Sequence, residues 1–299
     1  MPRNELIAGL DLGTTKACCV AAEVDDRNQP VIVGVGVSPS RGIRRGVVVD
    51  IEATTHAVED AVNRASQQCG TQVVSVYVGV TGEHIQSMNS RGVAAITHPD
   101  REITEADRRR VLEQSRVIVI PPDRTVLHAI PRSYSIDGQD GIREPVGMCG
   151  SRLEVETHIV TGSQTFLQNV EKCIARAQLG LNEMVLEPLA TAYAVVTQPE
   201  RDLGVGVLDI GGGTTDIAVL ADGEILHSAV IPVDGNHVTN DLAQLLRITA
   251  DEAERIKIHY GSTLPAQVSD TESVELTQIG RTDSRPFRRR ALCEIIEAR

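Results

Sequence analysis

Hydrophobic and polar positions alternate from Leu6 to Leu12, from Ala17 to Val24 and from Val31 to Val37, a period of two that predicts three strands in a meander. Gly34 and Gly36 share one face of the third strand. From Ile51 the period lengthens, and Ile51, Thr54, Val58, Ala61, Val62 and Ala65 fall on one helical face, with Asp50 as N-cap and Gly70 as the stop. A buried strand is expected over 73–80. Between Gly82 and Ser163 the pattern changes to polar linkers, a charged helix opening at Thr104, and strands near 125–136 and 153–161. Thr104 with Asp107 three residues on is a capping-box start. This stretch reads as a separate small α+β unit.

The helical period returns from Phe166 through Val170, Cys173, Ile174 and Ala177 to a stop at Gly180. A strand over 183–186 and a helix over 187–197 follow, the helix broken by Gln198-Pro199. A second strand cluster begins at Leu203, and its opening repeats the opening of the chain: GLDLGTTKACCV around Asp11 matches VLDIGGGTTDIAV around Asp209. The two aspartates are 198 residues apart, far beyond a solenoid period, so the repeat implies two similar domains. Gly223 joins 217–220 to 225–230 as a hairpin. Helices are expected over 236–246 and 251–260, and 271–290 is polar and weakly patterned. The final RRRALCEIIEAR reads as a helix with Leu292, Ile295 and Ile296 on one face, either a short membrane anchor beside three arginines or, as we favour, an internal helix cut short.

Composition narrows the function classes. A 299-residue chain exceeds one ordinary hydrophobic core, and a 41% hydrophobic fraction excludes disorder. With 41 acidic against 29 basic side chains the net charge is −12, and aromatics are 2%, so neither phosphate-backbone binding nor base stacking is supported and no nucleic-acid partner is expected. Six cysteines without a CxxC pair read as reduced thiols. No secretory leader and no apolar stretch of spanning length is seen, which points to a cytoplasmic chain with peripheral membrane attachment left open.

The candidate chemistry lies in the repeated turns. A D-x-G-T-T hairpin offers hydroxyls and free N–H groups that suit phosphate oxygens, and a carboxylate at the end of an apolar strand suits hydrated Mg²⁺. One such turn alone is an ordinary Asx hairpin; two at domain-scale separation favour a clamp on a nucleotide tail. Neither GxxxxGK[ST] nor GxGxxG is present.

These turns, with LEPLATAYAV at 186–195 and VDGNHVTNDLA at 233–243, resemble the phosphate-1, connect-1 and phosphate-2 elements of the actin, Hsp70 and sugar-kinase ATPase superfamily. With SRGIRRGVVVDIEA at 40–53 and VGVTGEHI at 78–85, the chain is most similar to the FtsA family of bacterial cell-division proteins. The resemblance implies an α/β, actin-like ATPase fold of two ribonuclease-H-like domains. These would comprise residues 1–82 with 163–198, and an incomplete 199–299, around an inserted α+β (SHS2-type) subdomain at 83–162. It implies ATP and Mg²⁺ as ligands: Asp11 and Asp209 holding Mg²⁺ through water, Gly13, Thr14, Thr15 and Lys16 on the β- and γ-phosphates, and Gly211, Gly212, Gly213 and Thr214 closing from the other side. Gly235, Glu254 and Lys257 would contact the nucleotide; apart from the resemblance, the last two are a surface i,i+3 pair. Glu187 is either the residue that orients the attacking water or a carboxylate favoured by a helix N-terminus. Two of the three lysines in the chain, Lys16 and Lys257, fall at these positions.

The family's partners would be an FtsZ-type tubulin homologue, further copies of itself in a filament, later division proteins through the inserted subdomain, and, in the full-length form, the inner face of the cytoplasmic membrane at the division site. Hydrolysis would be at most a slow Mg-dependent ATPase. A pilus or secretion adaptor and a small-molecule kinase of the same superfamily are the alternatives. Two departures stand out: family members continue beyond this chain's last residue, which suggests a truncated chain, and Asp234 stands where glycine is commoner, which would weaken nucleotide binding. RGIRRG at 41–46 reads as a solvated basic loop.

Overall fold

The computed structural model describes residues 6–27 and 29–299. The reading of the N-terminus as leaderless rests partly on residues 1–5, outside the described residues. Two compact units meet in sequence at Pro232–Val233.

The first unit is built on a five-stranded sheet. Leu6–Leu12 and Lys16–Val24 form an antiparallel hairpin that continues into Pro30–Pro39, while Ser75–Val80 and then Gly180–Leu186 add in parallel on the other side of Leu6–Leu12. The helix Ile51–Cys69 covers one face, capped by Asp50, whose Oδ1 accepts from the Ala53 N–H at 3.0 Å, and closed by Gly70 at φ 68°. Its buried Val58, Ala61, Val62 and Ala65 meet Leu10, Cys19 and Val78 of the sheet in one core. Gly34 and Gly36 explain how close the helix lies: a Cβ on Gly36 would overlap the Ala61 carbonyl oxygen, and one on Gly34 the Ala65 carbonyl oxygen. The shared face read from the sequence is therefore the seat of the helix.

The inserted stretch forms a four-stranded antiparallel sheet ordered Gln86–Ala95, Arg152–Ser163, Arg124–Ile136, Gln139–Ile142. The helix Glu105–Ser115 lies on it, with the Thr104–Asp107 capping box formed in both directions. Gln86–Ala95 escapes the hydrophobic pattern because QSMNSRGVAA is an edge strand, organised by its ten-residue register with Arg152–Ser163 rather than by alternation. A second departure concerns Gly180: the helix Gln164–Arg176 ends at Ala177 and Gly180 opens a strand instead of closing the helix. A third is Pro199, which begins the short helix Gln198–Leu203 after Glu187–Val195 has ended.

A three-stranded meander, Val205–Ile210, Thr215–Ala221 and Glu224–Ile231, completes this unit, its last turn made by Asp222 and Gly223 at φ 54° and 81°. The inserted sheet docks on Glu224–Ile231 through an apolar cluster, in which Leu127, Ile130 and Val160 meet Ile225 and Val230, and through polar side chains. Buried His158 contacts Asn89 Oδ1 (2.8 Å) through Nδ1 and Ser228 Oγ (3.0 Å) through Nε2, and the Ser87 hydroxyl donates to the Ser228 carbonyl at 2.7 Å. Burial, then His227 and Arg132, lower the His158 pKa to about 4.

The second unit packs the helices Gly235–Leu246, Ala250–Tyr260 and Arg289–Glu297 with the strand pair Ser273–Leu276 and Arg285–Arg288. Leu292 is buried with Leu242, Leu246 and Ile256, and Ile295 and Ile296 pack against them. The apolar face of the last helix is thus spent on this core, which overturns the membrane-anchor reading of that helix. The polar 271–290 stretch holds the strand pair. Among the described residues, no helix is long and apolar enough to cross a membrane.

Gly36→Ala should lower stability by about 1–3 kcal/mol in urea unfolding, because the helix must retreat from the sheet, whereas Gly9→Ala, with nothing within 4 Å of the added carbon, should stay within about 0.5 kcal/mol. His158 titrates from an ordinary value of 6.5 when unfolded and about 4 when folded, so the unfolded chain binds the extra proton between them and stability falls as pH drops through that window. Wild type should lose about 3 kcal/mol more than His158→Gln between pH 7 and pH 4; equal losses in the two would remove His158 from the acid response.

Candidate phosphate and cation site

Burial alternates along Leu6–Leu12, so Leu10 and Leu12 enter the core and Asp11 faces the open side, opposite Cys18 on Lys16–Val24. The second hairpin repeats this arrangement with Asp209 opposite Asp216. Both turns line one cavity of about 920 Å³. Gly13, Thr14, Thr15 and Lys16 line it from the first turn and Gly211, Gly212, Gly213 and Thr214 from the second, with Asp11, Asp209 and Glu187 in the same wall.

The turns interlock. A Cβ on Gly212 would overlap the Thr15 methyl, and one on Gly213 the Thr14 hydroxyl. Gly212 and Gly213 are therefore a requirement of close approach, since a side chain at either would hold the second turn away from the first.

The electrostatics are those of crowded acids. Burial raises the Asp11 pKa, Lys16 opposes the rise and Asp209 adds to it. Glu187 opens the helix Glu187–Val195, and burial, followed by the charges of Asp11, Asp216 and Asp209, pushes its carboxyl well above the usual range. Its Oε1 is buried without a hydrogen-bond partner, and Gly79 makes room for the side chain: a Cβ there would sit 3.0 Å from the Glu187 Cγ. Burial likewise raises Asp216 to about 6 despite hydroxyl donation from Thr81 to Oδ1 and from Thr214 to Oδ2 (3.2 Å).

Asp216, Thr81 and Thr191 are site residues that the sequence reading misses. Thr191 donates to Asp209 Oδ2 at 3.0 Å. Asp216 carried a signal, an acid placed in TTDIAV where the hairpin register must set it opposite Asp209; Thr81 and Thr191 carried none, because packing between elements brings them in. RGIRRG also proves closer to the cavity than a solvated loop. Arg45 and Gly46 turn the hairpin Ile43–Arg44/Val47–Val48, and Gly46 lines the cavity with its N–H 3.4 Å from the Thr14 hydroxyl.

The donor set fits a hydrated divalent cation. Asp11, Asp209, Asp216 and Glu187 supply oxygen, the charge type Mg²⁺ prefers, and their mutual repulsion with the unpartnered Glu187 oxygen is what added positive charge relieves. Among the described residues, no three His, Cys, Asp or Glu side chains are grouped closely enough to ligate an ion directly, so water would complete its shell.

Gly235, Glu254 and Lys257 all belong to the second unit, where they converge. Lys257 Nζ lies 2.6 Å from Glu254 Oε2 and donates to the Gly235 carbonyl at 3.1 Å. Asp234 is the N-cap of Gly235–Leu246, its Oδ1 accepting from the N–H groups of Asn236 (2.8 Å) and His237 (3.2 Å). That carboxylate is thus committed to its own helix.

Family models described as "SHS2 domain inserted in FTSA" and "Cell division protein FtsA" match residues 82–161 and 206–294. The cell division protein FtsA of Pseudomonas aeruginosa is 44% identical over 296 residues, 99% of this chain and 70% of the relative; that of Neisseria meningitidis is 46% identical over 297 residues, 99% and 71%. FtsA of Escherichia coli K12 is 37% identical over 296 residues, again 99% and 70%. The chain spans about 70% of the length of these relatives. Among solved structures, a PilM–PilN type IV pilus biogenesis complex matches with a TM-score of 0.64 at 20% identity, covering 87% of this chain and 70% of that one. MreB5 of Spiroplasma citri bound to AMPPNP matches at 0.54 and 14%, covering 99% and 75%. The fold is the actin-like ATPase fold with an SHS2 insertion.

Thr81→Val should cost about 1.5–3 kcal/mol at pH 8, where Asp216 is ionised and loses a charge-assisted donor, and less at pH 5, where the carboxyl holds its own proton. Urea midpoints of the two proteins at both pH values check this; an equal cost at both would mean the hydroxyl acts on something other than the carboxylate.

Proposed function

Because this chain belongs to the FtsA family of cell-division proteins, we propose that it binds Mg-ATP, forms actin-like filaments, and ties filaments of an FtsZ-type tubulin homologue to the cytoplasmic membrane at the division site. The phosphate tail would lie in the hairpin cavity, with Gly13, Thr14, Thr15 and Lys16 on one side and Gly211, Gly212, Gly213 and Thr214 on the other. Asp11 and Asp209 would hold hydrated Mg²⁺, the charge on which a polyphosphate depends in so acidic a wall. The family resemblance assigns Gly235, Glu254 and Lys257 to the nucleoside. The observation that carries this reading is the interlocked pair of Gly/Thr turns with an aspartate behind each.

Glu187 is assigned to orienting the attacking water. Burial among three carboxylates raises its carboxyl pKa well above the ordinary value, and a carboxyl at this place in the wall can hold a water by hydrogen bonding. Slow hydrolysis suits a scaffold in which nucleotide favours one conformation. The same reading divides the chain into residues 1–82 with 163–198, an inserted 83–162, and 199–299. It gives the inserted subdomain, with its charged helix Glu105–Ser115, the contacts to later division proteins. The pilus-adaptor alternative rests on likeness of fold at 20% identity, and the kinase alternative has no observation of its own.

Calorimetry with Mg-ATP tests the site. Asp209→Ala should weaken binding by about 100-fold or more with an unchanged melting temperature; wild-type affinity in that variant would remove the hairpins from nucleotide binding. Co-sedimentation with FtsZ filaments tests the partner.

A further inference from the structure

The second unit contains a buried hydroxyl that the nucleotide reading leaves without a task. Thr239, 5% exposed, lies one turn into Gly235–Leu246 and beneath the Glu254–Lys257 pair, whose side chains are 41% and 21% exposed. Its Oγ1 donates to Glu254 Oε2 and accepts from Lys257 Nζ at 2.9 Å. The Gly235 carbonyl, 3.2 Å away, is the usual acceptor for a threonine within a helix, but the hydroxyl has one proton and the carboxylate is the stronger acceptor. Lys257 spends its three donors on the Gly235 carbonyl, Thr239 and Glu254. A single hydroxyl thus bonds both charged groups and fixes them to a neighbouring helix.

We propose that Thr239 is a positioning residue for nucleoside recognition: it holds Glu254 and Lys257, across two helices, in the one arrangement that receives the nucleoside. An exposed Glu–Lys pair three residues apart on a helix is ordinarily loose, because two long side chains resist being ordered for little Coulomb gain. Here the buried hydroxyl supplies the order beforehand, and ligand binding need not. The state of Glu254 agrees: burial raises its pKa, and the hydrogen bonds from Lys257 and Thr239 outweigh that and leave it below the ordinary value. The inference rests on the assignment of Glu254 and Lys257 to the nucleoside.

The test compares Mg-ATP with Mg-tripolyphosphate, which has the phosphate tail and no nucleoside, by calorimetry on the full 299-residue chain. Thr239→Val and Thr239→Ala should each weaken Mg-ATP about tenfold, leave tripolyphosphate unchanged, and raise the Glu254 carboxyl pKa in a ¹³C NMR titration. Thr239→Ser, which keeps the hydroxyl, should stay within about twofold of wild type. Equal loss of both ligands in the Val and Ala variants would reduce Thr239 to a packing role and overturn the proposal. So would full Mg-ATP affinity in those variants while Glu254→Gln weakens it, an outcome that leaves the nucleoside assignment standing. Wild-type Mg-ATP affinity in both Glu254→Gln and Lys257→Met would instead overturn that assignment and the inference with it.

Discussion

The contact between the two hairpin turns is the constraint on which the site depends. Gly212 and Gly213 have no side chains, so Thr15 and Thr14 can lie directly against their backbone, and two segments almost two hundred residues apart in sequence come within van der Waals reach. Everything chemical in the cavity follows from that approach. Asp11 and Asp209 share one wall because the turns that follow them meet, and Asp216 joins them because the hairpin register sets it opposite Asp209.

The consequence is electrostatic. Four carboxylates around one cavity cannot all be ionised cheaply, and the structure distributes the strain unevenly. Thr81, Thr214 and Thr191 donate to Asp216 and Asp209, whereas Glu187 Oε1 is left without a donor and burial raises its carboxyl pKa well above the ordinary value. A cation would alter this balance, which links occupancy of the cavity to the bonds between elements, since Thr81 follows the strand Ser75–Val80 of one sheet and Asp216 lies in another. In the second unit the opposite solution appears: one carboxylate and one ammonium are neutralised in place around a threonine hydroxyl.

The inserted subdomain is seated by apolar and polar contacts together. His158, Asn89, Ser87 and Ser228 form its seam with Glu224–Ile231, and the histidine stays neutral because burial and nearby basic groups disfavour its charge. These hydrogen bonds specify orientation, as each replaces one to water, and the burial of Leu127, Ile130 and Val160 against Ile225 and Val230 supplies the adhesion.

Much of this was legible in the sequence because it depends on local rules. Alternation marked the meander, Asp50, Gly70 and Thr104 marked helix ends, and Gly34 with Gly36 lay on the face that receives the helix. The doubled D-x-G motif identified both turns and their aspartates before any coordinates. Other features needed the tertiary structure because their cause is a neighbour distant in sequence. The edge strand Gln86–Ala95 has no alternation to betray it, Thr81 and Thr191 become site residues only when their elements meet the second hairpin, and the apolar face of Arg289–Glu297 could be read as an anchor until Leu242 and Ile256 covered it. Sequence by itself determined the two Gly/Thr turns and the aspartate before each, since that is a matter of side-chain type and turn geometry. The tertiary structure alone decided their ionisation, because a pKa is set by burial and by charges brought in from elsewhere in the chain.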